Sequence, residues 1–323
     1  MPDDPLSRAQ ALHAQGDLDG ALADYDEAIR QSPTAEAHGS RALARAAKGD
    51  LRGAVADYDD AIRLSPYEAP WYYNRGNAKA ALGDMQGAIV DYSEAILRQP
   101  TDVESYVNRG NAKLVRGDAT GAVDDYSTAL GINPRFTKAL VNRANALRRK
   151  GDAANALADY DAALAIDPRQ PAALYKRALA RTDAGDLDGA LADCGEALRL
   201  GLRRAPVYFH RGCVRMAKGD VDGAIADFGE VLRLDPKDAD ALVNRGIARA
   251  EKGEIAMEDF DRALALNPRH AAGWYNRGLQ KSRSGDPAGA ISDLSRALEV
   301  APAAWDRRAE AQDVLDALRR SNS

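Results

Sequence analysis

Cysteine is nearly absent from the 323-residue chain, with only Cys194 and Cys213. Two thiols without metal-type spacing exclude a disulfide framework and a cysteine-based metal site. Histidine is as sparse, with His13, His38, His210 and His270 scattered along the chain in no ligand pattern. No HExxH, phosphate-loop or dinucleotide-binding signature occurs, so the sequence offers no catalytic, metal or cofactor constellation and is read as a non-enzyme. No apolar run reaches the roughly 18 residues a membrane span needs. Neither sign of charge dominates: 44 basic against 49 acidic residues leave a net charge of -5. That balance lacks the basic field expected of a nucleic-acid binder. The acidic start, MPDDPLSRAQ, has no apolar core of a secretory leader. The resulting expectation is a soluble cytoplasmic protein with no nucleic-acid or membrane partner and no cofactor.

Glycine followed by a polar residue, usually aspartate, is abundant and strictly placed. It recurs at Gly16, Gly49, Gly83, Gly117, Gly151, Gly185, Gly219, Gly253 and Gly285, mostly 34 residues apart. The clearest copy runs from Trp71 to Pro100. Tyr72, Gly76 and Lys79 share one helical face before the turn, and Ala88, Tyr92, Ala95 and Ile96 share another after it. Gly83 sits where a left-handed helix-ending residue belongs, and Asp84 where a second helix needs a cap. Proline then stops the second helix in every copy except the sixth, which has Leu202. Small residues recur on both helices, for example Gly76 with Ala88 and Gly110 with Ala122, so the two backbones can approach closely. One turn after the second small residue stands an aromatic, Tyr25, Tyr58, Tyr92, Tyr126, Tyr160, Phe228 or Phe260, replaced by Cys194 and Leu294 in copies six and nine.

A helical hairpin of this size cannot bury its apolar faces alone, and nine in phase point to a stacked array. The 34-residue period with its small, small, aromatic, proline pattern resembles the tetratricopeptide repeat family. The resemblance covers residues 2 to about 302. It implies an all-α, right-handed αα-superhelix of nine helix-turn-helix repeats, in which the first helix of each pair lines the concave surface. Residues 1–302 are expected to form one solenoid domain. Residues 303–323 are expected to be a capping helix, starting at Ala303, with a frayed tail. Met1 to Pro5 is expected to be frayed at the other end.

Two irregularities stand out. Copy eight lacks two residues between Ile255 and Ala256, which predicts a tighter inter-helix turn. The join of copies six and seven carries Gly195, Gly201 and Leu202-Arg203-Arg204 in place of the usual ending.

Charge repeats as strictly as glycine. An arginine precedes the first small residue in all nine copies, from Arg8 to Arg277, and an aspartate precedes the aromatic position in all nine, from Asp24 to Asp293. Equal numbers of opposite charge at one phase predict nine structural ion pairs rather than a ligand-reading ladder. Sequence alone leaves open whether each pair closes within a repeat or between neighbours.

The functional surface is expected on the first helices. One residue before the repeated arginine stand Asn74, Asn108, Asn142, Asn244 and Asn276, with Lys176 and His210 at the same position in copies six and seven. Three residues on are Asn77, Asn111 and Asn145. An asparagine amide both donates and accepts, so a row of them can pair with a peptide backbone without reading its side chains. The rows resemble the asparagine ladders of peptide-binding tetratricopeptide superhelices. Asn77, Asn108 and Lys138 also match three of the five positions of the family's carboxylate clamp, while Tyr73 and Asn142 stand at the other two. Lys138, Arg148, Arg149 and Lys176 are expected to gather as a basic centre that attracts an acidic segment. These residues lead to a scaffold that binds an extended peptide or a partner protein. The alternative is a structural, self-associating solenoid.

Overall fold

A computed structural model describes residues 4–321. Among them are nineteen α-helices and no strand. The chain divides into two compact units, residues 1–168 and 169–323. The first unit holds α1 (Pro5–Ala14), α2 (Leu18–Gln31), α3 (Ala35–Ala47), α4 (Leu51–Leu64), α5 (Ala69–Ala81), α6 (Met85–Arg98), α7 (Val103–Val115), α8 (Ala119–Ile132), α9 (Thr137–Arg149) and α10 (Ala153–Ile166). The second holds α11 (Pro171–Asp183), α12 (Leu187–Arg199), α13 (Ala205–Ala217), α14 (Val221–Leu234), α15 (Ala239–Glu251), α16 (Met257–Leu266), α17 (Ala271–Arg283), α18 (Pro287–Val300) and α19 (Arg308–Ser321). In each unit the helices pack in consecutive pairs, and each second helix then packs on the next first helix. First helices also touch the next first helix, as α5 does α7 and α13 does α15.

The Gly-Asp turn explains the pairing. Gly83 has φ +87°, a left-handed conformation that costs a Cβ-free residue little. The Asp84 N–H then bonds the Lys79 carbonyl at 2.9 Å and the Gly83 N–H bonds that of Ala80 at 3.0 Å, which closes the helix end. Asp84 next accepts from the Gly87 N–H at 2.8 Å and starts α6. Gly110 needs to be small for a different reason. A Cβ there would lie 2.7 Å from the Tyr126 ring, which fills the space between α7 and α8.

Three boundaries differ from the sequence expectation. α1 begins at Pro5, capped by Asp4, while Met1 to Asp3 lie outside the described residues. The deletion in copy eight shortens the second helix rather than the turn: α16 has 10 residues where α14 has 14, and five residues, 252–256, lead into it. Ala256 keeps its fully buried place, so helix length gives way instead. Gln280, from α17, fills the defect. Its Oε1 accepts from the Ala256 N–H at 3.1 Å and its Nε2 donates to the Glu254 carbonyl at 3.0 Å. The C-terminal helix starts at Arg308 rather than Ala303. Residues 303–307 form a turn that lays Trp305 edge-on against Tyr275, with ring centroids 5.8 Å apart. α19 then covers α18 through Ala311 and Leu315, while Asn322 and Ser323 lie outside the described residues.

The sixth copy replaces its proline with a second left-handed glycine. Gly201 has φ +97°, and the Leu202 N–H bonds the Ala197 carbonyl at 3.0 Å, so α12 ends as a first helix does.

Candidate functional site

All nine arginine–aspartate pairs form, each inside its own repeat. In the pair joining α5 to α6, Arg75 Nε and Nη2 donate to the two Asp91 oxygens at 2.9 and 2.6 Å, a bidentate fork. Asp91 is fully buried. Burial works against the Arg75 charge, yet Asp91 and then Asp59 together outweigh it and hold the guanidinium pKa above its ordinary value. The same arginine reaches back to the preceding second helix, with Nη1 2.6 Å from Asp59 Oδ1. Arg109 and Arg143 do likewise to Ser93 and Ser127, both at 3.1 Å. These charges tie helix to helix and repeat to repeat.

A further cation, not foreseen from the sequence, sits four residues after the repeated arginine. Arg45, Lys79, Lys113, Arg181, Arg215, Arg249 and Lys281 each reach the same buried aspartate, for example at 2.8 Å for Lys79 to Asp91. Its signal was present as a basic residue at a fixed offset. Copies one and five have Leu12 and Leu147 there instead.

The asparagines fall into distinct groups. In the first unit Asn77, Asn111 and Asn145 accept through Oδ1 from the hydroxyls of Tyr92, Tyr126 and Tyr160 at 2.8, 2.8 and 2.6 Å. The other row reaches across to the previous repeat. Asn108 Nδ2 donates to Asn77 Oδ1 at 3.2 Å and to the Tyr73 hydroxyl at 3.1 Å, and Asn142 Nδ2 donates to Asn111 Oδ1 at 2.9 Å. The result is a bonded ladder across α5, α7 and α9. Among the described residues it leaves Nδ2 of Asn77 and Asn111 and Oδ1 of Asn108 and Asn142 without a bond, so donors and acceptors alternate along it. A cavity of about 240 Å³ lies against it, lined by Asn77, Tyr92, Asn108, Asn111 and Val115. Asn74 is half-buried beside the ladder and hydrogen-bonds to none of the described residues.

The remaining predicted residues do not join this ladder. Lys138 Nζ lies 2.7 Å from Glu104 Oε2, so the cation matching the carboxylate clamp is already neutralised by its own chain. Arg148 is half-buried and Arg149 exposed at the end of α9. In the second unit, Asn244 and Asn276 each donate to a carbonyl of their own helix, those of Asp240 and Ala272, at 2.8 Å. Lys176 is half-buried on α11. His210 Nε2 lies 3.0 Å from the Thr182 hydroxyl, with its ring edge-on to Tyr175. These last two rings border a cavity of about 390 Å³ that Leu179, Phe209 and Cys213 also line, with Asp238 and Asp240 beside them. Burial raises the Cys213 thiol pKa and pushes Cys194 up to about 12, so both stay as neutral thiols at pH 7.

One cluster escaped the sequence reading. His38, buried on α3, has Nδ1 3.8 Å from Asp57 and 3.7 Å from Asp60. Arg41 and Arg45 already hold Asp57, so the cluster is part of the ion-pair frame.

Paired helices, left-handed turn glycines and a polar ladder on the first helices define a helical repeat protein. Models described as tetratricopeptide repeat match residues 6–69, 73–135, 137–170 and 244–315, and one described as TPR repeat matches 212–253. The chain belongs to the tetratricopeptide repeat family and has its all-α superhelical repeat fold. A tetratricopeptide repeat protein from Parabacteroides merdae shares 19% identity at a TM-score of 0.56, over 78% of this chain and 98% of that one. A subunit chain in the APC/C hetero-tetramer Cut9–Hcn1 gives 17% and 0.57, over 93% of this chain and 59% of that one. YrrB, described as a TPR protein with an unusual peptide-binding site, gives 23% and 0.50, over 56% of this chain and 95% of that one. At these identities the likeness is one of fold. No curated protein matches the chain. Among the described residues no helix is long and apolar enough to cross a membrane.

Proposed function

We propose that this protein is an interaction scaffold whose first-helix face holds an extended segment of a partner protein. The observation that carries this reading is the bonded asparagine ladder of α5, α7 and α9. Its side chains are held by tyrosine hydroxyls and by one another, and it keeps alternating unused donors and acceptors among the described residues. A peptide backbone presents the complementary alternation, and a preorganised amide loses little rotamer freedom on pairing with it. Asn74, Asn77, Asn108, Asn111, Asn142 and Asn145 are the backbone-reading residues of the proposal. In the second unit the cavity beside Tyr175, Phe209 and His210 accepts an apolar anchor side chain, as aromatic-lined pockets commonly do. The preference for an acidic segment rests on the exposed Arg149, since Lys138 is neutralised. The peptide-binding description of YrrB is consistent with the reading.

The test is a selection of displayed random peptides on the full chain, followed by calorimetric titration of the enriched peptides. Asn108→Ala is expected to weaken binding at least tenfold while the melting temperature stays within a few degrees. Enriched peptides that bind the variant as tightly as the native chain would overturn the ladder as the site. An Arg149→Glu variant reads the acidic preference separately.

A further inference from the structure

The repeats supply their own internal comparison for a second site. In seven copies the buried aspartate accepts from two cations of its own first helix, the repeated arginine and the basic residue four positions later. In four of these copies the second cation also donates to the carbonyl of the glycine near the start of the second helix, as Arg215 Nη1 does to Gly223 at 3.0 Å and Arg181 Nη1 to Gly189 at 3.1 Å. In copy five both positions change together. Leu147 replaces the cation and Asn155 replaces the glycine. Among the described residues Arg143 is then the cation that holds Asp159, at 2.7 Å through both Nε and Nη2.

The vacated space remains open. A cavity of about 410 Å³ lies between α8 and α10, with Asp159, Arg143, Leu147, Asn155, Val123 and Ala158 among its lining residues. The Asp159 side chain is 9% exposed, and Asp159 is one of the residues that line this cavity. Arg143 and Leu147, at i and i+4, share one face of α9, while Asn142 and Asn145 lie on another. The cavity is therefore distinct from the asparagine ladder.

We propose that this cavity receives the side chain of a lysine or arginine from a partner protein, which completes the ion cluster that seven sister repeats complete internally. Val123, Leu147 and Ala158 suit an aliphatic stem, and the Asp159 carboxylate with the Asn155 carbonyl suits the cationic head. A free inorganic cation would satisfy the head position and leave the apolar walls uncovered.

The test uses the full chain and N-acetyl-lysine methylamide as the probe, followed by chemical-shift perturbation of backbone amides. Saturable shifts are expected at Ser127, Asn155 and Asp159. The norleucine analogue, which lacks the ammonium group, should shift them at least tenfold less at equal concentration. Leu147→Lys supplies the missing cation from within, keeps the fold, and should abolish the lysine response. Equal shifts from the two analogues, an unchanged response in Leu147→Lys, or no response at all would each overturn the proposal.

Discussion

The two units share one frame and differ in the row that faces out from it. In the first unit every second helix carries a tyrosine at the aromatic position: Tyr25, Tyr58, Tyr92, Tyr126 and Tyr160. In the second unit the same position is Cys194, Phe228, Phe260 and Leu294, none of which has a hydroxyl. The first-helix residue opposite changes with it. Tyr92, Tyr126 and Tyr160 face Asn77, Asn111 and Asn145, whereas the second unit has Leu179, Cys213, Ile247 and Leu279. A buried hydroxyl needs an acceptor, and an amide that accepts from it keeps polar atoms to offer outward. Without the hydroxyl the opposite residue is free to be apolar. In copies three to five the interior hydroxyl thus goes with a polar face outside it. Copies one and two show that other solutions exist, since Tyr25 faces His13 at 3.4 Å and Tyr58 stands opposite Leu43.

The shared frame gives the largest expected effect. Asp125→Ala and Asp227→Ala should each cost about 3–5 kcal/mol, because each leaves two cations around an emptied buried site. Urea unfolding followed by circular dichroism checks this. A large loss in one unit and none in the other would break the idea of a common frame.

Alkaline pH should separate the units by onset. A group whose folded pKa is raised above its unfolded value keeps its full contribution below the unfolded value and loses it as pH rises towards the folded one. Burial raises Cys194 and Cys213 from 9.0, and burial raises Tyr58, Tyr92 and Tyr126 from 10.0. The second unit should therefore begin to lose stability near pH 9 and the first near pH 10, at about 1.4 kcal/mol per pH unit for each strongly shifted group. Variants that keep Trp71 alone, or Trp274 and Trp305 alone, report each unit by fluorescence in urea. In the Cys194→Ala, Cys213→Ala double variant the earlier onset should vanish.

A transplant sharpens the coupling itself. Phe228→Tyr places a hydroxyl in the second unit without its amide and should cost about 1–3 kcal/mol. Adding Cys213→Asn recreates the tyrosine–asparagine pair and should recover most of that loss in the same unfolding assay. The smallest effect belongs to the exposed Lys138–Glu104 pair. Lys138→Met should change stability by about 0–1 kcal/mol, and by less still at high salt.

Much of the frame was legible in the sequence because it repeats. The turn glycines, the aspartate caps and the arginine–aspartate pairs recur at fixed offsets, and the structure puts each where its period implied. Features that occur once were hidden. Gln280 fills the shortened copy eight through contacts 24 and 26 residues away, which no local pattern announces. The deletion there was legible between Ile255 and Ala256, but its consequence was not: the sequence does not say whether turn or helix gives way, and only the burial of Ala256 decides that the helix shortens. Of the basic centre, the pairing of Lys138 with Glu104 was not visible, because Glu104 lies one repeat back. The asparagine rows were visible as rows. Their bonding to the tyrosines was not, since it depends on two helices meeting face to face.

The most direct test of the central claim, that the amide ladder of the first unit reads a partner's backbone, is hydrogen–deuterium exchange of the full chain with and without a selected peptide. The account predicts slowed exchange concentrated in α5, α7 and α9. Slowed exchange confined to the second helices, with α5, α7 and α9 unchanged, would contradict it.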